Sequence, residues 1–246
     1  MSSPATAGGS GVARRVPRDL ELIAFDLDNT LYDEGLYYEA AFERLVPELA
    51  ERSGRDAAAI LERLREILAA KGKHYNKLFT DVLADVGLDP KDDLAWVLDR
   101  FRSVETALEP FPGVRELLRD LRPHYRLGVI TSGMQRIQEN KLRLLGIAPS
   151  FDRIVFSSSL PENKPGQMPF RHLLELVGTA PERAAYVGDN PLFDFRAPNQ
   201  MGMLSVRVHN PELDRLDVAA ADDAQIKVGS VADVRTLFLG DPVAAP

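Results

Sequence analysis

The stretch Leu20-Glu21-Leu22-Ile23-Ala24-Phe25 is almost wholly apolar, and it stops abruptly at Asp26-Leu27-Asp28-Asn29-Thr30-Leu31. Short unbroken apolar runs mark the central strands of parallel sheets, because helices cover both faces of such a sheet. Ligands of open α/β folds bind just beyond the carboxyl ends of those strands, so Asp26 and Asp28 are placed where a site is expected. Being two residues apart, they can lean toward one small site if the chain leaves the strand in a tight turn. Asn29 and Thr30 support such a turn through local hydrogen bonds. Taken alone, the stretch is read equally well as a strand followed by an Asx-type turn, with both carboxylates in solvent.

From about Glu34 to Ala107 the apolar residues recur at three and four. Ala41, Leu45 and Leu49 lead to Ile60, Leu64, Ile67 and Leu68, then Leu78, Val82, Leu83 and Val86, then Leu94, Val97, Leu98 and Phe101. This is the helical period. Breaks at Ser53-Gly54, Lys71-Gly72 and Gly87-Leu88-Asp89-Pro90 divide the region into four helices with no strand between them. After the hinge Glu109-Pro110-Phe111-Pro112-Gly113 the pattern alternates. A helix over Val114–Leu121 precedes a strand over Tyr125–Thr131, and a helix over Met134–Leu145 precedes a strand at Arg153–Phe156. A helix over Phe170–Val177 follows, then strands at Ala184–Val187, Met203–Val208 and Ile226–Val228. Strands separated by single helices imply right-handed crossovers. The reading is an α/β fold, a Rossmann-like parallel sheet with helices on both faces, plus an inserted all-α subdomain. Residues 1–17 read as a disordered leader, 18–33 and 110–240 as the core, 34–109 as the insert and 241–246 as a tail.

A hydrophobic content of 45% in 246 residues fills a substantial core. The net charge of -7, from 30 basic and 37 acidic residues, comes without a basic stripe, so nucleic acid is not an expected partner. An acidic chain that handles an anion must supply positive charge locally, from a metal ion, a lysine or helix N-termini. Without cysteine, a disulfide framework, a thiolate metal site and a thiol nucleophile are all excluded. Met1 to Gly11 lacks the apolar segment of a secretory signal, and no apolar run approaches the ~18 residues of a membrane span. The chain is therefore expected in the cytoplasm, away from membranes, as a monomer or homodimer.

Three further predicted strand ends carry polar residues. Thr131-Ser132-Gly133 opens a helix, which makes an anion site if the backbone N–H groups are used and an ordinary N-cap if they are not. Pro161-Glu162-Asn163-Lys164-Pro165-Gly166 holds one lysine, either a solvated surface charge or the point charge that a phosphoryl group needs. Val187-Gly188-Asp189-Asn190-Pro191-Leu192-Phe193-Asp194 adds two carboxylates, hard oxygen donors that suit Mg²⁺. Each loop alone is weak evidence. Together they converge on one crevice at the carboxyl edge of the sheet.

With Asp26-Leu27-Asp28-Asn29-Thr30, Thr131-Ser132-Gly133, Lys164-Pro165 and Gly188-Asp189 with Asp194 in this order, the chain resembles the haloacid dehalogenase (HAD) superfamily over roughly Leu20 to Val208. Most members of that superfamily are Mg²⁺-dependent phosphatases. The resemblance implies that Asp26 is the nucleophile that forms an aspartyl-phosphate and that Asp28 is first acid, then base. It implies that Thr131, with Ser132 and Gly133, binds the phosphoryl oxygens and that Lys164 offsets their charge. Mg²⁺ would be held by Asp26, by Asp28 through its backbone carbonyl and by Asp189, with Asp194 a direct or water-mediated neighbour. The helical insert resembles the type-1 cap that closes over the core. Asp28 must be protonated for the first step, so its surroundings are expected to favour the neutral acid at the moment of attack.

Two departures stand out. The segment Lys164 to Phe170 lacks the acidic residue and second proline that commonly follow the family's lysine-proline pair, although the distance to the aromatic position is kept. Pro198 is expected to shorten the helix after Asp194. Dehalogenation fits poorly because Asp28 is present, and phosphonate cleavage fits poorly because no cap lysine is singled out. A phosphomutase remains open, as does a non-catalytic receiver-like phospho-acceptor, although receiver domains are shorter and uncapped. The substrate is expected to be a small phosphorylated metabolite, since a closing cap excludes water and large molecules alike. Lys71, Lys73, His74, Tyr75 and Lys77 form a basic and aromatic cluster that either faces the site or is a solvated interhelical loop. Tyr32, Asp33, Tyr37 and Tyr38 could line the mouth. His124, His172 and His209 are assigned no role, because none is expected at a strand end.

Overall fold

The computed structural model of the chain describes residues 16–73 and 75–240. Most of the expected leader and the tail at 241–246 therefore lie outside the described residues. Six strands form one sheet: β1 (Leu22–Phe25), β2 (Arg126–Thr131), β3 (Arg153–Phe156), β4 (Ala184–Gly188), β5 (Leu204–Val208) and β6 (Ile226–Val228). They lie in the order β3-β2-β1-β4-β5-β6, and every pairing is parallel. Strand β1 is central, with Phe25 level with Val129 on one side and Val187 on the other. The order reverses at β1, so the loops after β1, β2 and β4 open onto the crevice where such sheets bind ligands.

Successive residues of a strand face opposite sides of the sheet, and both sides of β1 are apolar. Ile23 and Phe25 join a core that includes Leu117 and Leu118 of α5 (Val114–Leu121), Leu142 and Leu145 of α6 (Gln135–Leu145) and Val234 of α9 (Asp233–Leu239). Leu22 and Ala24 join a second core with Phe170, Leu173 and Leu174 of α7 (Met168–Val177) and Ala197 of α8 (Arg196–Met201). Burial on both faces explains why β1 reads as an unbroken apolar run. The sequence places strand starts one or two residues early, at Leu20, Tyr125 and Met203. Leu20 is buried but lies outside the ladder.

Between β1 and α5 lie α1 (Gly35–Ser53), α2 (Ala57–Lys71), α3 (Leu78–Val86) and α4 (Pro90–Arg102), with no strand among the described residues there. Their ends follow local chemistry. The Asp56 carboxylate accepts from Ala59 N–H at the start of α2, and the Asp89 carboxylate accepts from Lys91 N–H at the start of α4, where Pro90 takes the first helical position. Leu45, Leu64, Val82 and Val97 close an apolar core that is continuous with one face of the sheet. Where the chain returns from these helices, Phe111 N–H donates to Leu31 C=O at 2.9 Å, so both connections run side by side. Helix α8 has only six residues, with Pro198 in its first turn, in keeping with the expected shortening.

Gly128 marks how closely α7 approaches β2. A Cβ there would lie 2.9 Å from Leu173 Cδ2, so helix side chain packs directly on strand backbone. Gly128→Ala is expected to destabilise the protein by about 1–3 kcal/mol through overpacking, measured by urea denaturation. The penalty should shrink in a Leu173→Ala background, because the clash partner is then gone.

Candidate active site

Asp26, Asp189 and Asp194 each bring a carboxylate oxygen to within 4.8 Å of the others, and all three side chains are buried. Asp26 leaves the end of β1, and Asp189 and Asp194 follow β4. The backbone of Gly188 comes so close to this cluster that a Cβ would lie 2.5 Å from Asp194 Oδ2, a space only glycine leaves open. Lys164 enters from the loop after β3, its ammonium 2.5 Å from Asp26 Oδ1, 2.8 Å from Asp194 Oδ1 and 3.0 Å from the Tyr186 hydroxyl. The Asp194 carboxylate also accepts from Asn190 N–H at 2.9 Å, and Asp189 accepts from Thr30 at 3.2 Å and Asn210 at 2.7 Å. Burial pushes the Asp26 carboxyl well up against the opposing pull of Lys164, and neighbouring carboxylates add to the rise. Burial, then the charge of Asp194, pushes Asp189 up to about 7. Buried carboxylates this close cannot all ionise without a further cation. The donor set, all hard oxygens, suits Mg²⁺.

The Asp28 side chain turns away from this cluster into a separate polar group. Its Oδ1 accepts from Lys141 Nζ at 2.6 Å and Tyr32 OH at 2.7 Å, and its Oδ2 accepts from Gln138 Nε2 at 2.8 Å. Burial works to raise the Asp28 carboxyl, but the Lys141 ammonium and the bonds from Lys141, Tyr32 and Gln138 outweigh it and hold the group below the usual carboxylate range. The resting site thus favours the ionised group, whereas the neutral acid is expected at the moment of attack. The cause is a cation from α6 that local sequence around Asp28 does not announce.

Asn29, at φ 59°, makes a left-handed turn directly after Asp28. Thr131 is fully buried, and its hydroxyl pairs with the Gln138 amide. Ser132 Oγ lies 2.9 Å from Ser157 Oγ and 3.2 Å from Asn163 Oδ1, and Gly133 N–H donates to Ser158 Oγ at 2.9 Å. None of the three caps α6, whose N-cap residue is Met134. Around Lys164 the chain passes through a cis Lys164–Pro165 bond, and Phe170 packs edge-on against Tyr186 at 4.9 Å, which accounts for the kept spacing to the aromatic position.

Asp26, Asp28, Ser132, Gly133, Lys164, Asp189 and Asp194 line a cavity of about 390 Å³ between the sheet edge and the helical insert, whereas the buried Thr131 is not among its lining residues. Among the described residues of the basic cluster, only Lys73 joins the lining, its ammonium 3.3 Å from Asn29 Oδ1 and 3.8 Å from Asp33. Lys71 and Lys77 are exposed and do not line the cavity, because each closes or opens a helix on its outer side. His74 lies outside the described residues. Tyr32 does not line the mouth; it is fully buried and serves Asp28. Tyr37 is likewise buried and donates to Phe101 C=O, while Tyr38 does line the cavity. His209 directly follows β5, contrary to expectation, but its ring is paired with Asp214 and lies outside the lining. Its neighbour Asn210 is the one that reaches Asp189.

Sequence reasoning missed Glu34, Gln138, Lys141, Tyr186 and Asn210. A signal existed for two of them. Gln138, Lys141, Leu142 and Leu145 share the buried stripe of α6, so two polar residues occupy a face reserved for apolar ones.

The sequence model of the haloacid dehalogenase-like hydrolase family matches residues 23–208. The chain is 33% identical over 227 residues to glyceraldehyde 3-phosphate phosphatase of Methanothermobacter thermautotrophicus, covering 85% of this chain and 98% of that protein. It is 30% identical over 191 residues to phosphoglycolate phosphatase of Pseudomonas putida, covering 74% and 67%. Among solved structures, the HAD phosphatase from Thermococcus onnurineus superposes with a TM-score of 0.63 at 22% identity, covering 91% of this chain and all of that one. The chain belongs to the haloacid dehalogenase-like hydrolases. It is a hydrolase, and these relatives are phosphatases.

The raised Asp189 carboxyl has a measurable consequence. It keeps its proton at pH values where an unfolded aspartate, near 3.8, has lost it, so its contribution to the cation-free protein's stability falls as pH rises from about 4 to 7. A divalent cation takes only the ionised carboxylate. The rise in Tm on adding Mg²⁺ is therefore expected to be larger at pH 8 than at pH 6, read by thermal denaturation against EDTA controls. Equal rises would show that proton loss from Asp189 does not limit uptake of the ion.

Proposed function

We propose that the protein is a Mg²⁺-dependent phosphatase that hydrolyses the phosphate monoester of a small metabolite through an aspartyl-phosphate on Asp26. The observation that carries this reading is the 2.5 Å contact between Asp26 and the buried Lys164, at the edge of a cavity that also receives Asp189 and Asp194. A carboxylate cannot approach a phosphate dianion unless positive charge is already in place. Lys164 supplies one such charge. Mg²⁺, held by Asp26, Asp189 and the backbone of Asp28 with Asp194 nearby, would supply the rest by neutralising the phosphoryl oxygens.

In the first step an Asp26 carboxylate oxygen bonds to phosphorus as the ester P–O bond breaks, and the leaving oxygen takes a proton from Asp28. In the second, water attacks the aspartyl-phosphate, its proton passes to Asp28, and Asp26 and phosphate are released. Lys141 favours the ionised form of Asp28 in the resting site, and the charge of the dianionic substrate then favours uptake of a proton from solvent, which makes Asp28 the neutral acid. Helices α1–α4, over 34–109, act as the cap. Lys73 and Asn29 stand where a polar leaving group would lie, and Tyr38, Phe101 and Ile137 offer it an apolar wall. The cavity volume favours compact esters of the size of those named for the relatives.

A phosphate-release screen over short-chain phosphates, sugar phosphates and nucleoside monophosphates tests this reading. Release is expected with Mg²⁺, and loss to background with EDTA or in Asp26→Asn. Folded parent protein that releases no phosphate from any of them would overturn it, and an isomeric phosphate ester in place of free phosphate would make it a mutase. Lys73→Ala is expected to raise KM about tenfold, the worth of a partly screened charged hydrogen bond, with a much smaller change in kcat.

A further inference from the structure

We infer that Lys141 is a positioning residue for Asp28, holding its carboxyl in place for the leaving group and tying it to the helical insert through Glu34. The inference rests on the phosphatase reading above and assigns a task to a residue that reading leaves idle.

The Lys141 side chain is only 4% exposed. A buried ammonium is costly unless paired, and even a paired one contributes less to stability than an apolar residue of the same volume. Position 141 lies on the inward stripe of α6 beside Leu142 and Leu145, where leucine or methionine would satisfy packing. Stability therefore does not account for a lysine there. Its partners do. Nζ lies 2.6 Å from Asp28 Oδ1 and 3.2 Å from Glu34 Oε1, and all three residues line the same cavity.

The bonds to Asp28 come from two directions. Lys141 and Tyr32 hold Oδ1 while Gln138 holds Oδ2, so the plane of the carboxyl is determined. Gln138 lies one turn before Lys141 and also bonds the Thr131 hydroxyl at the end of β2. Helix α6 thus sets the distance between the phosphoryl loop and Asp28. Glu34, immediately ahead of α1, brings the insert into the same contact. An acid must meet its leaving oxygen within hydrogen-bond reach, so a carboxyl free to rotate loses the reaction even though its chemistry is intact.

The test exploits leaving groups. 4-Nitrophenolate departs without a proton, whereas an alkoxide needs one. Single-turnover consumption of 4-nitrophenyl phosphate and of the alkyl phosphate turned over fastest in the screen is compared in parent, Lys141→Met, Lys141→Arg and Asp28→Asn. Lys141→Met is expected to lose at least about tenfold on the alkyl ester, a fraction of the roughly 100- to 10,000-fold ascribed to general acids, and less than about threefold on the nitrophenyl ester, the pattern of Asp28→Asn. Lys141→Arg should fall between Lys141→Met and the parent on the alkyl ester. Equal losses on both esters, or no loss on either, would overturn the inference and leave the phosphatase reading standing. If Lys141→Met fails to fold by circular dichroism, Lys141→Arg carries the comparison under the same criterion of unequal loss. A parent with no Asp26-dependent phosphate release overturns the phosphatase reading first, and the inference with it.

Discussion

The ammonium of Lys164 stands between two buried carboxylates, 2.5 Å from Asp26 and 2.8 Å from Asp194, and most of the site is arranged around that contact. Without it, the ends of β1 and β4 would bring three like charges together in a desolvated space, which would push the strands apart or force protonation. The rest of the arrangement follows from the need to keep the charges close. Gly188 removes a side chain so that Asp194 can pack against the strand end, Tyr186 bonds the lysine from below, and Asn210 and Thr30 occupy the oxygens of Asp189. The parallel sheet is what makes this possible, because its register sets Phe25, the last residue of β1, beside Val129 and Val187, so that β1, β2 and β4 end within two residues of one another.

A second pairing, Lys141 with Asp28, divides the two aspartates that the sequence sets side by side. Asp26 faces Lys164 and the carboxylate cluster; Asp28 faces α6 and the insert. Only Leu27 lies between them; a left-handed residue, Asn29, follows Asp28, and a non-glycine there is tolerated because asparagine adopts that conformation more readily than most. The same side chain accepts from Glu34 N–H and from Lys73, so the turn that aims Asp28 also anchors the start of the helical insert. The insert and the placement of Asp28 are thereby linked at a single loop.

The fold was largely legible because its signals are local. The apolar runs of the strands, the three- and four-residue spacing of α1–α4 and the breaks at Gly54, Gly72 and Gly87 are properties of short segments. Strand starts were less legible: Leu20 and Met203 are buried without joining the ladder, and burial is all that an apolar run reports. The candidate site was legible where residues cluster at strand ends, as Asp26, Lys164, Asp189 and Asp194 do. It was illegible where the contributing residue lies inside a regular element, as Lys141, Gln138 and Tyr186 do, or one step past a strand, as Asn210 does.

By itself the sequence determined the α/β alternation, the helical insert and the loops that carry acidic and basic groups, since each depends on neighbours a few residues apart. Only the tertiary structure decided which carboxylate meets which cation. Asp28 and Lys141 are 113 positions apart, Asp26 and Lys164 138 apart, and what each carboxyl experiences is set by the ammonium that packing brings within 3 Å of it. The same holds for the tyrosines after the first strand, where exposure separates Tyr38 in the cavity from Tyr32 beneath Asp28. Local pattern reports secondary structure because backbone hydrogen bonds in helices are local; electrostatics in a buried site acts through space, and the chain's course through space is the one thing a short stretch of sequence does not contain.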